Sequence, residues 1–165
     1  MITYDALKTK PKEFLAVTSL THEEFVHLLP AFARLLQQQT AQLTTQGKQR
    51  KRQPGAGTKG KLDRIENKLL FILAYQKGYE LQTLLGLHFG LSQPQANYWI
   101  HRLLPLLQEA LVASAPDQYF RPPYVGHRGW LGVYLDVPVD WAEIAEIVTD
   151  AYRMIAPKGL VALLD

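Results

Sequence analysis

The sequence predicts a mainly α fold: a helix-turn-helix domain of the DNA-binding type, followed by a small partial α/β C-terminal appendage. Three observations predict it. Apolar residues recur at helical spacing through much of residues 4–112. Capping boxes at Thr21 with Glu24 and at Ser92 with Gln95 mark two helix starts. Leu81 to Leu107, LQTLLGLHFGLSQPQANYWIHRLLPLL, reads as a short helix, a glycine turn and a second helix with a polar outer face, the pattern of a helix-turn-helix.

Along the chain, Tyr4 to Ser19 reads as one short helix or two turns, with Phe14, Leu15 and Val17 available for packing. Leu20 and Phe25 flank the Thr21 capping box as a hydrophobic staple. The helix it opens should run from His22 to about Leu43, with Phe25, Leu28, Leu29, Phe32, Leu35 and Leu36 at helical spacing. Pro30 should kink or split it, and its polar end, QQQTAQLTTQ, should fray. Gly47 to Gly60 has no periodicity and reads as a loop. Asp63 to Lys77 is the next helix, with Gly78 as its C-cap, and a short helix follows from Glu80 to about His88. Gly90 supplies the turn. The second helix of the pair begins after Ser92, tolerates Pro94 in its first turn, bends near Pro105 and continues toward Val112. Leu84, Leu85, Leu91, Ile100 and Leu103 should hold the pair together. Beyond Pro116 the texture changes: WLGVYL (Trp130 to Leu135) reads as a strand, and Asp140 caps a helix from Trp141 to Met154, stopped by Pro157.

Composition narrows the function classes. The chain has 165 residues, 47% of them hydrophobic, enough for one real core, and no apolar run approaches the roughly 18 residues a membrane helix needs. The N-terminal segment lacks the apolar centre of a signal peptide. Zero cysteines exclude disulfides and thiolate metal sites and fit a reducing cytoplasm, so a cytoplasmic location is expected. The net charge of +3 conceals an asymmetry. Residues 1–112 carry 14 Lys/Arg against 8 Asp/Glu, a net +6, whereas residues 113–165 carry 4 against 7, a net −3. Only the first part suits an anionic polymer.

Two groups of residues are candidates for nucleic-acid contact. The basic loop, residues 47–61, brings Lys48, Arg50, Lys51, Arg52, Lys59 and Lys61 together without an acid among them, which suits nonspecific contact with phosphates. On the second helix of the pair, Gln93, Gln95, Asn97, Tyr98, His101 and Arg102 are the candidates to read base edges: amides suit adenine, and arginine suits guanine. A catalytic site is not expected. Asp136 and Asp140 lack the further carboxylates that two-metal phosphoryl transfer needs, and they read as a strand-end acid and a helix cap. No metal site is expected among His22, His27, His88, His101 and His127, and GAGTKGK lacks the strand and spacing of a phosphate-binding loop. No cofactor is expected.

The run from Tyr4 to about Leu107 resembles the N-terminal helix-turn-helix region of DDE-class insertion-sequence transposases. LTHEEFVHLLPAF, the basic KQRKRQPGAGTKGKL, and GLSQ followed by WIHRLLPLL carry the resemblance. It implies binding of double-stranded DNA, with strand cutting left to a separate RNase-H-like domain that this sequence does not show. Pro94 and Tyr98 depart from the small hydroxylated and basic residues usual in that family. The tail, with PPYVG, RGW, VDW and AYR before IAPK, resembles the C-terminal part of MmcQ/YjbR-like proteins, small α/β proteins of poorly defined activity. Its N-terminal half is missing, which would leave a strand with an unpaired edge.

Residues 1–110 are therefore expected to form a transposase-type helix-turn-helix domain, and residues 111–165 an MmcQ/YjbR-like fragment. The expected function is DNA binding without catalysis, as a truncated transposase-derived protein. The alternatives are a non-catalytic regulator competing with full-length transposase and a protein–protein interaction module. The expected partners are double-stranded DNA and, beyond it, a second copy of the chain or a full-length transposase, with no membrane.

Overall fold

The computed structural model describes residues 1–44, 47–51, 60–78 and 80–163. It is mainly helical, with one two-stranded sheet. Two compact units divide it, Met1–Val133 and Tyr134–Asp165.

The first unit opens with two short helices, α1 (Tyr4–Leu7) and α2 (Pro11–Thr18). Pro11 begins α2 where its missing amide costs nothing, and Ser19 ends it in the left-handed region at φ 58°. α3 (His22–Gln42) opens on the expected capping box: Glu24 N–H donates to Thr21 Oγ1 at 3.3 Å, and Thr21 N–H to Glu24 Oε2 at 2.7 Å. Pro30 does not split this helix. It sits on the exposed face, opposite the buried stripe of Phe25, Leu28, Phe32 and Leu36. The carbonyl that it leaves unpaired belongs to exposed Val26, where water can replace the lost bond. The glutamine-rich end of α3 stays helical through Gln42; beyond it Leu43 is bridged to Gln49 and Arg50 N–H donates to Gln42 O at 2.7 Å, while Thr45 and Gln46 lie outside the described residues.

α4 (Ile65–Gly78) is the central helix, with every residue from Lys68 to Leu73 buried. A helix covered on all sides shows little apolar periodicity, because no face is left to be polar. α5 (Gln82–Phe89) and α6 (Gln93–Ser114) follow. The domain boundary expected near residue 110 falls inside α6. The core is continuous through Phe14, Phe25, Phe32, Phe71, Phe89 and Leu103. The N-terminal residues are tied into it: Ile2 N–H donates to His88 O at 2.7 Å and Tyr4 N–H to Asn67 Oδ1 at 2.8 Å. Tyr4 also stacks on Phe25, with ring centroids 5.3 Å apart.

After α6 the chain forms β1 (Tyr119–Phe120), a 3-10 turn at Gly126–Arg128 and β2 (Gly132–Val133). β1 and β2 pair antiparallel, Tyr119 opposite Val133 and Phe120 opposite Gly132. The strand expected from Trp130 to Leu135 is thus only two residues long, and it has a partner within the chain. The second unit holds α7 (Trp141–Ile155) and α8 (Lys158–Val161). Asp140 caps α7 by accepting Ala142 N–H at 2.8 Å. Among the described residues no helix is long and apolar enough to cross a membrane.

Candidate nucleic-acid interface

The turn between α5 and α6 is built on two glycines. Gly90 adopts φ 70°, which a side chain would oppose. Leu91 N–H donates to Gly86 O at 2.7 Å, and a Cβ on Gly86 would fall 2.8 Å from the Leu91 carbonyl oxygen. The close approach at Gly86 sets how α6 leaves α5. Beneath the turn, Leu85, Phe89, Leu91, Ala96, Ile100 and Leu103 are buried. Leu84, expected among them, is 48% exposed, because the angle places it on the outer side of α5.

The six base-reading candidates separate into two sets. Gln93, Gln95 and His101 are exposed and Asn97 is half-buried on α6. Gln93 Nε2 donates to Gln82 Oε1 at 2.7 Å, joining the starts of the two helices. Gln95 Oε1 accepts from Ser92 N–H at 2.9 Å and from the Ser92 hydroxyl at 3.1 Å, so its oxygen serves as a cap. The Asn97 Oδ1 is buried without a hydrogen-bond partner among the described residues.

Tyr98 and Arg102 form the second set, and they face α3. Arg102 donates from Nε to Gln39 Oε1 and from Nη2 to Thr40 Oγ1, both at 2.9 Å, and from Nη1 to the Tyr98 hydroxyl. Sequence periodicity put them on the wet side of α6. They lie on its flank, and the polar end of α3 covers that flank. The polar stretch Gln37 to Thr40 at the end of this amphipathic helix was the signal that could have revealed this.

Sequence reasoning also missed Lys68. It is buried on α4, donates from Nζ to Asp63 O at 2.7 Å, and lies 5.3 Å from the Trp99 ring centroid. The Arg102 guanidinium sits 5.7 Å from the same centroid. Burial holds the Lys68 ammonium below its ordinary pKa, and Arg102 adds to the effect, against Asp63 and Glu66.

The basic segment is only partly placed. Lys48, Lys51 and Lys61 are exposed. Arg50 is half-buried and donates from Nε to Leu43 O at 3.3 Å, folding back on the turn after α3. The Lys61 stem runs beside the interhelical turn, its Cδ 3.5 Å from where a Cβ on Gly90 would be. Arg52 and Lys59 lie outside the described residues. Arg64, nearby, is paired with Asp5 and Glu66, and its guanidinium holds the Glu66 carboxyl below its ordinary pKa. Among the described residues no group of three or more His, Cys, Asp or Glu is placed to hold a metal ion.

A family model described as "Helix-turn-helix of DDE superfamily endonuclease" matches residues 60–113. The match spans α4, α5 and nearly all of α6, so the chain carries a helix-turn-helix domain similar to that family's. It covers the non-catalytic, helix-turn-helix part alone, and it gives the resemblance of the tail to MmcQ/YjbR-like proteins no support. No curated protein and no solved structure matches the chain.

Proposed function

We propose that the chain binds double-stranded DNA without catalysing strand chemistry. In this reading α6 lies in the major groove and presents Gln93 and His101 to base edges, with Gln95 and Asn97 offering their amide nitrogens. Lys48, Lys51 and Lys61 contact the flanking phosphates, and Arg50, Arg52 and Lys59 belong to the same basic segment. Tyr98 and Arg102 set the position of α6 against α3. The observation that carries the reading is the α5–turn–α6 pair itself: its inner side is fully packed, while a stripe of amide and imidazole side chains is left on its outer side. Its likeness to the helix-turn-helix of a DNA-cutting superfamily agrees. A chain that occupies such sites without cutting would compete with a full-length DDE enzyme for them, as a non-catalytic regulator.

The test is selection of bound duplexes from a random pool, followed by anisotropy titration on the enriched site. Asn97→Ala with His101→Ala should lose about 1–3 kcal/mol of discrimination at each contacted base pair while keeping nonspecific affinity. An unenriched pool, or unchanged preference in the double variant, would sink the proposal.

A second reading, a protein–protein interaction module, is favoured by α7. Trp141, Val148 and Ile155 on that helix are largely exposed. A concentration-independent monomer in sedimentation, with no change on Val148→Asp, would remove self-association from that reading.

A further inference from the structure

The segment between the two strands combines arginines with exposed aromatic rings. From Gln118 to Leu135 the sequence has no acidic residue and two arginines, Arg121 and Arg128. Aromatic residues interleave with them. Tyr124 is 92% exposed and Trp130 is 57% exposed, although rings of that size usually find cover.

The loop is held rather than loose. Gln108, buried on α6, donates from Nε2 to Gly126 O at 2.9 Å and also to Trp130 O, so one amide grips both ends of the turn. Val125 N–H donates to Pro123 O at 2.8 Å and Gly126 N–H to Pro122 O at 2.9 Å. Arg121 packs across Gly126, where a Cβ would fall 2.6 Å from its Cγ. Gly129, at φ 91°, rests on Leu104. Tyr124 at the tip adopts φ 65°, a left-handed conformation that a bulky side chain resists. Ordinary turn chemistry would place glycine or asparagine there. The strained residue is thus the one whose ring stands farthest into solvent.

We propose that this loop is a stacking platform for single-stranded nucleic acid, separate from the duplex-reading face of α6. Unpaired bases stack on the rings of Tyr124 and Trp130, and Arg121 meets the intervening phosphate. Aromatic faces turned to solvent suit unpaired bases, since bases in an intact duplex have no free face to offer. The positive charge without any acid matches a polyanion. The position is also suitable. Gln108 lies seven residues beyond His101 on α6, about two helical turns or roughly 10 Å along the same side. A strand leaving a duplex bound at His101 would meet the loop. The inference nevertheless stands without the duplex reading, because it rests on the loop alone.

The test is anisotropy of labelled oligo(dT) of about 12 nucleotides at low salt, with the full chain and two variants, Tyr124→Gly and Trp130→Ala. Each variant should weaken oligo(dT) about tenfold and leave affinity for duplex unchanged. Glycine takes φ 65° freely, so Tyr124→Gly should melt no lower than the parent, which separates loss of binding from loss of fold. Asn97→Ala with His101→Ala should do the converse, leaving oligo(dT) binding intact. The proposal is overturned if the parent does not bind oligo(dT), if both loop variants bind it as the parent does, or if Lys48→Ala with Lys51→Ala alone accounts for the binding.

Discussion

Arg102 commits its whole guanidinium fork to its own fold. Nε, Nη1 and Nη2 are all engaged, by Gln39, Tyr98 and Thr40, and the plane lies near Trp99. A lysine keeps the charge but cannot form three bonds in fixed directions. Arg102→Lys should therefore cost about 1–3 kcal/mol in urea unfolding and leave base preference unchanged. Altered base preference with unaltered stability would return Arg102 to the reading face. Lys68 yields a different prediction. Its folded pKa is depressed by burial below its ordinary value of 10.5, so the unfolded chain binds this proton more tightly. The sign follows: the penalty of burying the ammonium is present below the folded pKa and fades as pH rises toward 10.5. Compared with Lys68→Met, the parent should gain relative stability as pH rises toward 10.5. A constant difference across that range would show that the ammonium is as well solvated folded as unfolded.

Among the elements, α3 shows what a proline costs when a helix runs through it. Pro30 lies within a continuous 21-residue helix, on the exposed side, and no described group depends on its ring. Pro30→Ala restores an amide and removes the ring's conflict with the preceding turn. It should stabilise the domain by roughly 1–3 kcal/mol, read as a higher urea midpoint at unchanged slope. A lower midpoint would mean that the proline sets a bend the core needs. Local chemistry made much of this architecture legible in the sequence. Thr21 and Ser92 announced their helices through the hydroxyl and the Glu or Gln three residues on, and Gly90 announced the turn by its backbone freedom. Packing was not legible in the same way. Periodicity assigns a residue to a side of a helix, but not to the neighbour that covers that side. Tyr98, Arg102 and Leu84 were all misplaced for this reason. Only contacts far apart in sequence decide them: Arg102 with Thr40 is a partnership across 62 positions. The same holds for the tie between Ile2 and His88, which no local pattern marks.

For the molecule as a whole, its positive charges do not act alike. Arg64 is neutralised by Asp5 and Glu66, Arg102 and Lys68 are built into the helix packing, and Arg50 is turned back onto Leu43. That leaves Lys48, Lys51 and Lys61 as the exposed cations of the basic segment among the described residues. Lys48 and Lys51 follow α3, and Lys61 lies beside the turn that leads into α6. Net charge alone would weight all of these cations equally. Counterion release weights only those that reach a phosphate, with about 0.9 in the log–log salt slope for each contact. Replacing Lys48, Lys51 and Lys61 together by Ala should thus flatten the dependence of duplex affinity on salt by up to about 2.7. Arg64→Ala removes one charge of the same sign and should leave the slope unchanged, because its partners already hold it. An equal loss of slope per charge in both variants would show that binding follows overall charge and not the placement of these three lysines.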